Sequence, residues 1–495
     1  MRVKKLLVSL LLLVLALVVG PPALFLSKVW WNDRAPPRPS VSPGTNDASR
    51  MNNNTPAEVI RMEPDPADAE KQLSALLKRA TEQHLRISIS GAKHSMGGHT
   101  LYPGGIALNM DPFNRMSLDE QSRILRVGAG ARWSEIIPFL DRHGLAVAVM
   151  QSNNDFSVGG SISVNCHGWQ HDSPPISSTV DSFRLLTPAG AVVRCSRTEN
   201  TELFSLALGG YGLFGVILEV DLRVVPNEFY KAEAHDVKTV DYARTYRELI
   251  KTRTDVGLAY GRINVAPDGF MEDAIITLLK REPSGRPVSD TLKDGKPSLL
   301  KRLVFLGGIG SDYGKNLRWF LEKSIGQNGA TVLSRNQIMN QPSDAYATRD
   351  PGSTDILHEY FIPGERLADF IGQSRAVLQK HRPELLNITV RNVERDDDTF
   401  LRYATGNVFG LVMLFHQRRD DASEKAMQAL TRDLTDAALA CEGRHYLTYR
   451  AHASREQFAK AYPQAREFFA LKDRYDPSGI FQNTFLLNYG NRSSP

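Results

Sequence analysis

The sequence predicts an α+β protein: a glycine-looped domain, then a cap of strands and helices, behind an apolar N-terminal helix. Three observations carry this. Between Arg86 and Pro226 short β-runs alternate with turns rich in glycine and small polar residues. From Asn227 to about Leu439, strand-like Ala274–Leu279, Ile356–Ile362 and Val408–Phe415 alternate with helix-like Arg366–Gln379 and Ser423–Ala438, the pattern of an antiparallel sheet covered by helices. Ahead of both runs an uncharged stretch from Leu6 to Leu26. The 495 residues suit two or three domains, and 42% hydrophobic with 23% charged residues excludes disorder for most of the chain.

Charge and cysteine content exclude other classes. Sixty Lys+Arg against 55 Asp+Glu leave a net charge of +5, which is no nucleic-acid signature. Cys166, Cys195 and Cys441 are scattered, with no CxxC or Cys/His ligand spacing, so neither a disulfide scaffold nor a structural zinc is expected.

The apolar run follows the basic start Met1-Arg2-Val3-Lys4-Lys5 and is about 30 Å long as a helix, enough to cross a bilayer core. It ends in Leu26-Ser27-Lys28-Val29-Trp30-Trp31 rather than in a small-residue cleavage site, so residues 1–31 read as an uncleaved signal anchor and transmembrane segment, a cleaved peptide being the alternative. Basic residues ahead of it and tryptophans behind it place the body on the extracytoplasmic side, periplasmic in a bacterium. Residues 32–55, rich in Pro, Ser, Asn and Gly, read as a flexible linker. An amphipathic helix, Pro66 to Gln83, then carries Ala69, Leu73, Leu76 and Leu77 on one face, and a strand follows at Leu85–Ser90.

That strand turns into Ser90-Gly91-Ala92-Lys93-His94-Ser95, a tight loop whose backbone N–H groups could cradle phosphate oxygens. Arg126-Val127-Gly128-Ala129-Gly130 precedes a helix from Trp133 to His143. A second small-residue loop runs from Gln151 through Ser152, Gly159, Gly160, Ser163, Val164 and His167 to Gly168, with paired glycines where a pyrophosphate or planar ring could approach closely. A strand at Asp181–Leu186 leads on to Gly209-Gly210-Tyr211-Gly212-Leu213-Phe214-Gly215-Val216-Ile217. Gly285 to Lys296 reads as an exposed polar loop, and Arg455 to Leu471 as one helix before the turn Asp476-Pro477-Ser478-Gly479.

This order of motifs resembles the PCMH-type FAD-binding domain of the vanillyl-alcohol oxidase superfamily, over residues 56–226 and again in 441–495. The resemblance implies a two-subdomain FAD-binding domain, a substrate-binding cap over 227–440 and a C-terminal segment returning to the FAD domain. It implies FAD held by Ser90, Gly91, Ala92, Lys93, His94, Ser95, Ser152, Gly159, Gly160, Ser163, Val164, Gly168, Gly215, Ile217 and Tyr446. His94 falls where many members bond the flavin 8α-methyl group. Those members often read Gly-His-Ser, whereas Lys93 stands here in place of the glycine, and linked and noncovalent FAD both stay open. The nearest branches are the decaprenylphosphoryl ribose oxidases and the sugar, alditol and lactone oxidases. On that matching Tyr449 replaces a lysine and Glu359 a glutamine at substrate-facing positions.

The activity implied is oxidation of a CH–OH group by hydride transfer to flavin N5, with Tyr446, His167 and Glu359 as the catalytic candidates. The donor would be a small sugar, alditol, lactone or lipid-linked sugar, and the acceptor oxygen or a quinone. A flavoprotein without alcohol oxidation and a metal-dependent hydrolase are the alternatives. The loop histidines His94, His99, His167 and His171 present no shared helical face, so no metal is expected, and His99 and His171 read as ordinary loop residues.

Overall fold

The computed structural model describes residues 19–282, 292–326 and 331–490. Three sheets organise them. Glu58–Arg61, Ile106–Asn109 and Ile87–Ser90 form a small sheet in that order, all parallel. Met116–Asp119, Ile124–Gly128, Val216–Pro226, Val180–Leu186 and Val192–Ser196 pair antiparallel in a second, which Leu145–Val147 joins through Val216–Pro226. One apolar core joins these two sheets, with Leu73 and Leu77 of the helix Pro66–Glu82 and Trp133 and Ile137 of the next inside it. The helix Pro66–Glu82 starts where the Asp65 carboxylate accepts from the Ala67 and Asp68 N–H groups.

The third sheet is the cap: eight antiparallel strands in the order Val332–Ser334, Phe229–Lys238, Asp273–Arg281, Val256–Ile263, Glu384–Val393, Val408–Arg418, Ser353–Pro363 and Arg444–His445. Alternation along each strand sends successive side chains to opposite faces. One face, with Tyr360, Leu411, Val390 and Ile263, is buried under the helices Tyr242–Ile250, Leu367–His381 and Asp421–Ala440. The other face carries the neighbours of those residues, Glu359, Arg391, Thr389 and Arg262. Register lays Glu359, Val412, Thr389 and Arg262 in one row across four strands. At Glu359 this face meets the glycine-looped domain, and at Arg262 it meets the cap helix Asp312–Gly326.

The C-terminal residues return to that domain. Ile87 donates its N–H to the Ile480 carbonyl and accepts from Gln482, adding Phe481 beside Ile87 at the edge of the small sheet. The expected helix Arg455–Leu471 is two helices, Arg455–Ala461 and Ala465–Tyr475. Pro463 has no N–H to donate and forces Tyr462 out of helical geometry, to φ −128° and ψ 76°.

Residues 33–55 are no flexible linker. They lie docked on the body: Asp33 pairs with Arg302 at 2.8 Å, Asp47 is fully buried and accepts from the Gly98 N–H, and Asn52 donates to the Met96 carbonyl. Their polar side chains bind backbone at the mouth of the first glycine loop, a gain that composition does not register. A helix covers 19–32, and among the described residues no helix is long and apolar enough to cross a membrane. Most of the expected span, residues 1–18, lies outside the described residues, as do 283–291 of the expected polar loop.

Candidate active site

The two glycine loops meet through one side chain. Ser157 Oγ accepts from the Ala92 N–H of the first loop at 3.2 Å and caps the helix Val158–Ser163 of the second, accepting from Gly160 at 3.4 Å. That short helix stands where the sequence suggests only loop; its two glycines hide it from propensity, and Ser157 is the cap signal that could have found it. A Cβ on Gly91 would lie 2.2 Å from Ser157 Oγ, so the loops close only around glycine. Lys93 takes a left-handed conformation, φ +63°, where a glycine would be unstrained. Its ammonium donates to the Gly91 carbonyl at 3.2 Å and lies 3.5 Å from Asp111.

Between the loops runs a cleft of about 110 Å³. Gly91, Ala92, Lys93, His94 and Ser95 line it from the first loop, and Gly159, Gly160, Ser163 and Val164 from the second. Gly215 and Ile217 line it from the third turn. Of the other expected cofactor residues, Ser90 is buried at the loop's base, Ser152 accepts from Arg391 at 3.0 Å on the cap side, and Gly168 packs against Met150. A Cβ on Gly168 would lie 2.0 Å from the Met150 carbonyl oxygen. The hydroxyls of Ser95 and Thr100, both lining the cleft, are buried without a protein partner, and so is that of Ser90. A cleft with open space over paired glycines and unpaired buried hydroxyls fits a dinucleotide's phosphates and polyol chain.

His94 stacks on Phe156 with ring centroids 4.1 Å apart, and its Nε2 lies 3.6 Å from Asp155. Burial lowers its pKa against the pull of Asp155, leaving a neutral imidazole at the cleft wall. His99 is no ordinary loop residue: it is buried, lines the cleft between the rings of Tyr211 and Phe485, and burial drops its pKa to about 4. His171 is buried too, its Nε2 3.1 Å from the Val256 carbonyl oxygen.

Beyond the cleft the second loop meets the polar face of the cap. His167 Nε2 and Glu359 Oε1 are 2.7 Å apart, with side chains 4% and 1% exposed. The approach is off the line of a hydrogen bond, so Oε1 and both imidazole nitrogens lack an aligned partner. Glu359 Oε2 accepts from the Tyr449 phenol at 3.3 Å. Burial opposes ionisation of Glu359, but His167, Arg391 and Tyr449 outweigh it and hold the carboxyl below its usual value. Arg391 grips the loop, donating to the His167 carbonyl and to Ser152 Oγ, while its buried Nε has no partner. Trp169 stacks on Tyr260 of the same cap face at 4.8 Å, and its indole N–H is also unpaired.

All three expected catalytic residues come together: the Tyr446 ring lies 6.1 Å from that of His167 and its N–H donates to the Glu359 carbonyl at 2.9 Å. Its phenol, however, donates to the Val164 carbonyl at 2.7 Å, and its ring also packs among Phe361, Tyr403 and Tyr449. Burial holds its pKa well above the usual phenol value. It fixes a cleft-lining backbone group and offers no free oxygen as base. Sequence reasoning missed Arg391 and Trp169. The alternation Ile388-Thr389-Val390-Arg391, polar on one face, is the signal that could have found the strand.

Residues 66–196 match the FAD binding domain family and residues 309–489 the D-arabinono-1,4-lactone oxidase family. The chain is 23% identical to L-gulonolactone oxidase of Bos taurus over 84% of this chain and 92% of that one. It is 23% identical to decaprenylphosphoryl-beta-D-ribose oxidase of Mycolicibacterium smegmatis over 84% and 91%. It is 28% identical to the mitochondrial L-galactono-1,4-lactone dehydrogenase of Brassica oleracea over 44% and 34%.

Proposed function

We propose that this chain, an FAD-dependent oxidoreductase acting on CH–OH donors, oxidises a sugar, alditol, lactone or lipid-linked sugar, with Glu359 receiving the hydroxyl proton. The observation that supports this assignment is the ionised, buried Glu359 carboxylate, whose Oε1 has no aligned partner beside His167 and the free donors of Arg391 and Trp169. Such a set of unmet donors and one unmet acceptor suits a polyhydroxylated substrate, whose oxygens would satisfy each of them. When bound, FAD supplies the two-electron acceptor at N5. Arg391 and Trp169 orient the donor's oxygens, Glu359 takes the proton as the C–H bond breaks, and His167, 2.7 Å from Oε1, positions the carboxylate for that transfer. The Tyr449 phenol, donating to Oε2, keeps the carboxylate turned toward the donor.

The final electron acceptor in this reading is oxygen or a quinone. His94, neutral and at the cleft wall, is suited to a covalent bond to the flavin, which acid precipitation tests: flavin colour left in solution would remove that bond. The apolar run ahead of residue 19 serves as an uncleaved membrane anchor with the body extracytoplasmic, a reading that rests on that run and the basic residues ahead of it, while the helix over 19–32 packs on the cap.

The decisive experiment follows flavin reduction by candidate donors under anaerobic conditions in Glu359→Gln. Loss of a positioned base lowers the reduction rate by about 10² to 10⁴-fold. FAD content stays at the wild-type level, because Glu359 does not line the cleft. A variant reduced as fast as the wild type would rule Glu359 out as the base.

A further inference from the structure

Most large apolar side chains left exposed among the described residues lie on one part of the molecule. Eleven are exposed, and four of them, Val19, Leu24, Trp30 and Trp31, sit on the helix over residues 19–32. Four more, Leu299, Leu300, Tyr313 and Phe320, sit on the helices Leu299–Leu306 and Asp312–Gly326 of the cap. The remaining three are scattered.

These three helices form one unit. The Phe25 ring meets Tyr313 edge-on at 5.1 Å and covers Gly307 and Gly314, where an added Cβ would come within 2.8 and 3.0 Å of it. Arg302 clasps both oxygens of Asp33 at 2.8 Å, with each side chain 11% exposed, and donates on to the Ala345 and Ala347 carbonyls. The helix over 19–32 is thus locked onto the cap, and its apolar residues add to those of the cap. Eight of the eleven exposed large apolar side chains thus sit on three helices packed together, a grouping that marks an interaction site rather than singly scattered residues.

We propose that this surface docks on a lipid bilayer, seating the cap's helix Asp312–Gly326 in the membrane interface. Three observations commit it to lipid. The chain enters this face directly from residues 1–18, whose sequence is a basic start followed by an uncharged apolar run. Tryptophan and tyrosine sit among cations: Arg34 lies over the Trp31 ring at 3.2 Å, and Lys28 and Lys301 stand beside the apolar residues in sequence. Aromatic rings with basic side chains are what the headgroup region accommodates. The docked residues 33–55 also hold the helix fast to the body, so whatever receives the helix meets the cap as well.

The consequence for the site follows from the same helix. Arg318 donates to the Leu386 carbonyl and Asn387, and Glu322 lies 3.9 Å from Arg262, all on the polar face of the cap sheet. The helix that enters the interface thereby packs on the same polar face that carries Glu359, three strands away from it. Docking holds that face next to the bilayer, whatever the donor proves to be.

The test uses the full chain in vesicles of phosphatidylcholine and phosphatidylglycerol. The native cysteines are buried, so a thiol-reactive fluorophore labels an introduced Phe320→Cys selectively. Val240→Cys is the control, since it precedes the helix Tyr242–Ile250 on the opposite face of the cap sheet. Lipids carrying a doxyl quencher should quench the label at 320 several-fold more strongly than the label at 240. Equal quenching at both positions overturns the proposal. So does a label at 320 shielded by self-association of the protein with no lipid quenching. The flavin spectrum reports that each variant is folded, and Tyr313→Cys replaces the 320 variant if that one misfolds.

Discussion

Gly160→Ala separates cofactor binding from folding, because the structure gives the two effects opposite signs. Gly160 is in the third position of the helix Val158–Ser163, is exposed and lines the cleft. A Cβ built there meets only Ser157 Oγ, at 3.0 Å, and nothing else within 4 Å. Alanine is the better helix former by about 0.5–1 kcal/mol, so the cofactor-free protein should be as stable as the parent or slightly more so. With FAD in the cleft the same methyl competes for the space the glycine leaves open. Overpacking of this kind costs about 1–3 kcal/mol, which at about 1.4 kcal/mol per tenfold is roughly 5- to 150-fold weaker binding. The assay is FAD titration by flavin fluorescence in a His94→Ala background, where no covalent bond can mask the equilibrium, beside thermal unfolding of the cofactor-free proteins. Gly168→Ala is the contrast, since its methyl runs into the Met150 carbonyl and should destabilise the fold itself. Unchanged FAD affinity in Gly160→Ala would refute the reasoning, for it would mean that the cofactor does not pass over this glycine.

Other consequences can be measured directly. Tyr446→Phe leaves the buried Val164 carbonyl without its donor and should cost about 1–3 kcal/mol in denaturant unfolding, while flavin reduction slows far less than in Glu359→Gln. Reduction by donor should stay level through neutral pH and fall only at acid pH, because the Glu359 carboxyl sits below its usual value and is the active base above it; a fall beginning near pH 6 would point to another group. Glu424 is held at about 2, its interactions with His452 and Arg450 outweighing burial, so its folded pKa is depressed. Its contribution to stability is complete above the unfolded carboxylate value of about 4.5 and disappears as pH falls toward 2, so Glu424→Gln should be the less stable protein at pH 7 and lose less on acidification. Parallel pH profiles of unfolding for the two proteins would contradict that.

Local features of this chain were legible in the sequence and long-range ones were not. The Asp65 cap, the periodicity of Leu73 and Leu77, and the glycine loops are read from neighbours a few residues apart, which is where capping and turn geometry act. The pairing of His167 with Glu359 depends on how a loop of one domain meets a strand of another, and no local pattern encodes that register. The motif places Tyr446 beside His167, as the structure has it, but its bond to Val164, which gives it a scaffolding task, depends on packing that no motif encodes. Residues 33–55 look like a linker because Asp47, Ser49 and Asn52 are polar by composition, yet these side chains hydrogen-bond against the body. The break at Pro463 was in plain view and needed only the steric rule for the preceding residue.

The two-faced cap sheet has a consequence for how this enzyme can change. Stability resides with Tyr360, Leu411, Val390 and Ile263 under the helices, while Glu359, Thr389, Arg391 and Arg262 alternate with them on the other side. Substitutions along the polar row, at Thr389 or Arg262 for instance, can reshape what the site accepts without opening a void beneath it. A single-residue insertion within Ser353–Pro363 would do the reverse, driving the carboxylate under the helices and a tyrosine toward the flavin. New donor preferences in this lineage should therefore arise by exchange of side chains at alternate positions, with strand lengths held constant.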